Sequence, residues 1–386
     1  MASSVRLAPT QVDLLNLVRA AAAQLVLIGH TTHHYLAGVD SSGRLETMGV
    51  LIFFVLSGFL ICSSVVQKWH RPDYRFAHYL IDRFCRIFVA YGPALVFVAA
   101  VDAAMRAHPA YPYRADDSFG TWLGNLAMLQ DYPVFQVLRR LGVPEQSWFI
   151  RSFGSGRPFW TVAIEWWIYL FFGYITFFTL RGQRITVGRL LVLAVLGVVP
   201  AYNAMGGVGD CLTFVWITGA LFALLQNWLA RRASERDRSL GKHGFAMLCV
   251  LGIAVCAVLL AGRVVATSFR VYDLQFAMFV SGILFGLFFL AGAIDVTLPS
   301  ALRRAINFLA DYSYSLYLIH FTVLTLFALY ESSATQYDPA TFLTVLVVAN
   351  LCGIGFWFAF ERHHSMVAQG AKNALDRRRR LREAAS

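Results

Sequence analysis

The sequence predicts an all-α fold: a polytopic membrane helix bundle of about ten transmembrane helices with both termini cytoplasmic. Three observations carry that prediction. Of 386 residues, 58% are hydrophobic and only 14% charged, where a soluble domain carries about 25% charged residues. Apolar runs long enough for a hydrocarbon core of about 30 Å recur along the chain. The Lys and Arg between those runs are abundant in alternate connections, as the positive-inside rule requires.

The runs fall at 14–34, 48–67, 84–104, 160–180, 188–203, 210–229, 244–262, 272–293, 313–331 and 340–360. Asp13, Asn16 and Arg19 break up the first, and a second run follows closely, which favours an uncleaved span over a cleaved signal peptide. The fifth is short and ends at Pro200, and "WLGNLAML", Trp122 to Leu129, is a candidate extra element dipping into the membrane. With the N-terminus in the cytoplasm, 24 of the 33 Lys and Arg lie inside. Six of the other nine sit in 105–159, a long segment of the kind that translocates with less regard to charge.

The tail "RRRRLR" reads as an anchor facing anionic inner-leaflet lipid. The expected organisation is one transmembrane domain over 1–365 followed by a basic cytoplasmic tail, 366–386, with no internal repeat, soluble appendage or low-complexity linker. A net charge of +11 arranged in this way points to the lipid bilayer as partner and away from nucleic acid. Cys62, Cys85, Cys211, Cys249, Cys256 and Cys352 nearly all fall in apolar stretches and form no CxxC pair, so they read as small apolar residues.

Polar residues inside these runs are the candidates for chemistry, because a charge at the bilayer centre costs about 2.5–3.5 kcal/mol even on lenient scales. Arg19 and His30 in "LVRAAAAQLVLIGH" are eleven residues apart, about three turns plus 20°, which puts both on one helix face about 16 Å apart along the axis. Such a stripe faces the bundle interior; the bland alternative is a snorkelling arginine and a histidine bonded to a neighbouring helix. "GVLIFFVLSGFLI" contains Ser57-Gly58, which suits close approach of a ligand or of another helix. "RFCR" places Arg83 and Arg86 near one face at the start of the third span, where they serve as membrane anchors or as a phosphate grip. "FWTVAIEWWIYLFF" carries Trp160 and puts Glu165 at the outer end of the fourth span, on the same face as Tyr169. "DYSYSLYLIH" brings His320 into the ninth, as a structural or a catalytic histidine.

Together these stretches resemble the acyltransferase 3 family of integral-membrane O-acyltransferases. The family patterns are an arginine and a histidine with ten residues between them in the first span, FFVLSGF, RxxR, W-S-L-S-V-E-x-x-x-Y and S-Y-S-L-Y-L-x-H. Here they read as Arg19 with His30, "FFVLSGF", Arg83 with Arg86, "WTVAIEWWIY" and "SYSLYLIH", in the family's order from the first span to the last. Thr161 and Ala163 stand where the family has serines, Leu51 where an acidic residue is common, and "FERHH" is similar to the closing E-x-P without its proline.

The resemblance implies transfer of an acyl group, commonly acetyl, from cytoplasmic acyl-CoA to a hydroxyl of an extracytoplasmic glycan. Acceptors of that kind are a lipopolysaccharide, an exopolysaccharide or another lipid-linked or cell-surface saccharide. The implied setting is the bacterial cytoplasmic (inner) membrane. On this reading His30 is the base that takes the hydroxyl proton, a task suited to neutral imidazole. Glu165 holds the His30 tautomer and its cation, or binds the acceptor. Arg83 and Arg86 hold CoA phosphates and Arg19 steadies the donor deeper in the channel. Ser57, Trp160, Tyr169 and His320 are substrate-binding candidates. Acetyl-CoA or another acyl-CoA is a substrate, no permanently bound cofactor is expected, and His33 and His34 lack the partners of a metal site. The competing classes are a secondary transporter, against which no paired Gly/Pro breaks are found, and a lipid-linked glycan-handling protein without acyl chemistry.

Overall fold

The computed structural model describes residues 7–35, 44–144, 149–181, 184, 186–207, 209–233, 239–266, 273–294, 298–330 and 339–385, which form helices with no strand among them. In order these are α1 Pro9–Tyr35, α2 Arg44–Lys68, α3 Phe76–Met105, α4 Phe119–Leu126, α5 Pro133–Arg140, α6 Phe159–Tyr174, α7 Val187–Ala204, α8 Leu212–Ala233, α9 Ser239–Ala266, α10 Leu274–Ala293, α11 Ser300–Asp311, α12 Ser313–Tyr330, α13 Pro339–Ala359 and α14 His364–Ala385. Ten of them, α1–α3, α6–α10, α12 and α13, are long and apolar enough to cross a membrane, one for each apolar run in the sequence. A helix is the natural outcome for such runs, because it satisfies every backbone N–H and C=O where lipid offers no partner. The chain is a multi-pass membrane protein. Arg6, Arg236, Arg238 and Arg270 of the charge count lie outside the described residues.

Local chemistry sets several boundaries. Ser118 caps α4 by accepting from Thr121 N at 3.1 Å, and Pro133 opens α5, where its missing N–H costs nothing. Asp273 caps α10, accepting from Gln275 N at 2.8 Å and Phe276 N at 3.3 Å. Burial opposes the charge of that carboxyl, yet Arg263 and the two amides hold it below the usual carboxylate range. The fifth span runs on past Pro200 to Ala204. A proline near a helix end removes a single bond, and the helix absorbs it. "WLGNLAML" contributes to α4, whose eight residues are too short to span a bilayer.

The chain divides into two compact units, 1–29 with 41–70 and 203–313, and 30–40 with 71–202 and 314–386. In the first, α2 packs along α8 so closely that a Cβ on Gly58 would fall 1.9 Å from the Trp216 carbonyl oxygen. Phe59 packs its ring 4.9 Å from Phe288 of α10. The amphipathic α11 lies along α1 through a polar ladder: Arg303 to Asp13 at 2.9 Å, Asn16 to Asn307 at 2.9 Å, and Arg19 to the Ala310 carbonyl at 2.9 Å. Spaced at three residues on α1, these contacts recur on one helix face. The hydropathic window of α9 is only 6% buried, as befits a helix apolar all round that faces lipid.

In the second unit, α3 is the central helix. Tyr79 and Tyr91 are buried along it, donating to the Tyr169 and Asn125 carbonyls at 2.9 and 3.0 Å. The basic tail is ordered as α14 and docks on the start of α3, with Lys372 2.8 Å from Asp82 and Asp376 3.1 Å from His78 and 3.5 Å from Arg75. The segment after α3 folds back over the unit and is pinned by Asn125, which donates to the Arg151 carbonyl at 2.7 Å and accepts from Phe153 N at 3.0 Å.

Candidate active site

Most of the predicted site residues fall in the second unit. His30, five residues before the end of α1 at Tyr35, stacks on His320 of α12 with ring centroids 5.4 Å apart and planes 25° from parallel. Phe321 meets the His30 ring edge-on at 5.1 Å. His320 is fully buried, and its Nδ1 lies 2.9 Å from the Tyr317 carbonyl oxygen and 3.1 Å from that of Leu316. Tyr317 holds the neighbouring turn: its hydroxyl is 2.5 Å from Thr161 Oγ1 and donates to the Pro158 carbonyl at 3.3 Å. The threonine that stands in place of a serine thus ties the start of α6 to α12.

Glu165 lies further along α6, where it accepts a hydrogen bond from the Tyr169 hydroxyl one turn on. The spacing of four residues predicted this shared face. Tyr314 of α12 sits in the field of Glu165, Arg86 and Glu361, so Glu165 belongs to the group of charges around Arg86. Trp160 is half-buried at the second position of α6.

Arg83 and Arg86 have different surroundings. Arg86 Nη1 donates to Glu361 Oε1 at 2.9 Å, and its guanidinium carbon stands 5.5 Å from the Tyr314 ring centroid. Glu361, 1% exposed, also accepts from the Ser315 amide at 2.9 Å and the Ser315 hydroxyl at 2.7 Å. This carboxylate ties together α3, α12 and the turn after α13. Arg83 stands 5.9 Å from the Tyr79 ring centroid, and its buried Nε has no hydrogen-bond partner among the described residues.

The other two predicted residues belong to the first unit. Arg19 donates to the Ala310 carbonyl, where its charge meets the negative end of the α11 dipole. Ser57 accepts from the Trp216 indole at 3.1 Å within the close α2–α8 contact.

Sequence reasoning noted the glutamate of "FERHH", Glu361, without giving it a role, and passed over Asp102 and Asp131. Glu361 sits at the end of the last span, and only the fold reveals Arg86 and Ser315 as its partners. Asp102 is a lone acid in the third apolar run, a signal that was available. Its carboxylate accepts from the Ser155 amide at 2.8 Å and lies 2.6 Å from the Ser155 hydroxyl, which is 2.9 Å from Thr322 Oγ1. Gly154 allows this approach, because at φ +49° a Cβ there would fall 1.8 Å from Asp102 Oδ2. Asp131, in the segment between α4 and α5, has a carboxyl pushed up by burial, against the pull of Arg157 and Arg151.

Chemically, the second unit offers two stacked imidazoles inside the membrane-spanning region, a carboxylate held by a tyrosine, and an arginine whose buried Nε–H is unmatched among the described residues. Compared with known proteins, residues 12–360 match a family model described as an acyltransferase domain. No curated protein and no solved structure matches the chain.

Proposed function

The chain belongs to the acyltransferase 3 family, and we propose that it moves an acyl group, commonly acetyl, from cytoplasmic acyl-CoA to a hydroxyl of an extracytoplasmic glycan in the bacterial inner membrane. The observation that carries this reading is the stacking of His30 on His320 inside the membrane-spanning region, where a base is costly to keep without a use for it. A sugar hydroxyl is a weak nucleophile until its proton is taken. His30 removes that proton as the hydroxyl oxygen attacks the thioester carbonyl carbon, and the C–S bond breaks. The proton then passes to the departing thiolate, so that ester and free CoA leave together.

The rest of the unit supports charge movement in that step. Glu165, fixed by Tyr169, supplies a negative charge that favours the transient His30 cation through a low-dielectric interior without needing contact. Arg83 grips a CoA phosphate with the N–H groups the fold leaves to it, and Arg86, committed to Glu361, braces the helices around it. Trp160 and Tyr169 border the substrates.

The test is release of CoA from acetyl-CoA by purified protein, measured with and without a panel of lipopolysaccharide, exopolysaccharide and lipid-linked oligosaccharide acceptors. Acceptor-dependent release with a new ester on the glycan supports the proposal. Acetyl-CoA left intact with every acceptor, by protein that remains folded, overturns it.

A further inference from the structure

The tautomer of His320 is fixed by its neighbours. Nδ1 faces two backbone carbonyl oxygens, of Leu316 and Tyr317. Carbonyl oxygens only accept, so Nδ1 carries the proton and donates. Nε2 is then a bare lone pair. It is buried with no hydrogen-bond partner among the described residues, on a ring with no exposed surface. His30 does not fill that role, because near-parallel rings stacked 5.4 Å apart present faces to each other, whereas the lone pair points out along the ring edge. A fully buried acceptor left unmatched is destabilising, and Val, Leu and Phe side chains would fill the space without that cost. The site is therefore built to receive a donor that arrives with the ligand.

Taking the acyl-transfer reading as given, we infer that His320 Nε2 accepts a hydrogen bond from a substrate O–H or N–H group placed beside His30, and acts as a fixed acceptor. Two groups in the reaction have that chemistry: the hydroxyl to be acylated, and an amide N–H of the pantetheine arm of the donor. His30 and His320 then divide the work. His30 carries the proton, while His320 sets the register of the molecule that gives it up or of the thioester beside it.

The experiment compares His320→Gln, whose amide oxygen reaches near the Nε2 position, with His320→Asn, whose shorter amide replaces only the Nδ1 donor. Expected is a kcat/KM within about fivefold of wild type for the glutamine variant and a loss of at least about tenfold for asparagine, with both proteins folded. The two sources separate in a binding measurement with acetyl-CoA alone. A Kd raised about tenfold in His320→Asn identifies the amide N–H, and an unchanged Kd with impaired transfer identifies the acceptor hydroxyl. Asparagine at wild-type activity, or glutamine as inactive as asparagine, overturns the inference.

Should both variants unfold, wild-type chemistry is read by 15N-histidine NMR in a His364→Gln background, since His364 Nδ1 also faces a carbonyl oxygen, at 2.9 Å. The bare Nε2 resonance of the Nδ1–H tautomer should move on adding acetyl-CoA or a CoA-plus-glycan mixture, and no movement with either overturns the inference. A wild-type protein that binds acetyl-CoA but never transfers its acyl group fails the functional proposal instead, and is recognised before any variant is made.

Discussion

Arg86 donates to Glu361 at 2.9 Å, and that carboxylate also takes both donors of Ser315. The guanidinium is 29% exposed but its partner carboxylate only 2%, so removing the arginine strands a buried charge. The two arginines of "RFCR" therefore separate by experiment. Arg86→Ala should lower unfolding stability in detergent by about 2–3 kcal/mol, and Glu361→Gln should do much the same. Arg83→Ala should leave stability within about 0.5 kcal/mol while raising the acyl-CoA KM about tenfold, with lysine restoring only part. Equal KM effects with no change in stability at Arg86 would return it to the phosphate grip.

For His30, replacement by alanine should cut turnover about a hundredfold or more while thermal unfolding stays near that of wild type. The measurement is initial-rate CoA release alongside a melting curve. A variant keeping a tenth of the rate would give the residue a packing role against His320 and Phe321.

Glu165→Gln keeps the hydrogen bond to Tyr169 and deletes the charge. If that charge favours the His30 cation, kcat should fall at least about tenfold with the acceptor KM little changed. A normal kcat with a raised acceptor KM would make Glu165 a sugar ligand.

Asp131 offers a pH test outside the spans. Its folded-state pKa is raised by burial, so its protonated form is favoured by the fold. Its contribution to stability is complete below the unfolded pKa of about 3.9 and is lost as pH rises through the higher folded value. Asp131→Asn mimics the protonated form, and asparagine tolerates the φ of +54° at this position. The variant should melt about 2 °C higher than wild type at pH 7, with the gap closing as the pH is lowered toward 4. A lower melting point at pH 7 would show that Arg157 and Arg151 outweigh burial.

Sidedness tests the functional proposal as a whole. In sealed vesicles of known orientation, CoA should be released only when acetyl-CoA contacts the face bearing the "RRRRLR" helix, because the phosphates cannot cross a bilayer unaided. Efficient use of donor from the other face alone would overturn the donor path and the positive-inside assignment together.

What the sequence determined by itself was local. Ten apolar runs became ten membrane-length helices, because apolar length and intrahelical hydrogen bonding need no information from elsewhere in the chain. Period alone placed Glu165 and Tyr169 on one face, and they are bonded. The first apolar run, likewise, became the one helix α1, which carries both Arg19 and His30.

Partners were another matter. Arg86 and Glu361 are 275 residues apart, and no periodicity says which helix stands against which. Nor did the pattern foretell that Ser57 would meet the Trp216 indole, that the basic tail would dock as a helix on α3, or that Ser155 would reach Asp102 and Thr322. Between apolar helices in lipid, hydrophobicity gives little preference for one neighbour over another, so close backbone approach and a few interhelical polar bonds choose the pairing. Those choices brought His320 under His30 and left its Nε2 without a hydrogen-bond partner among the described residues, and only the tertiary structure could decide them.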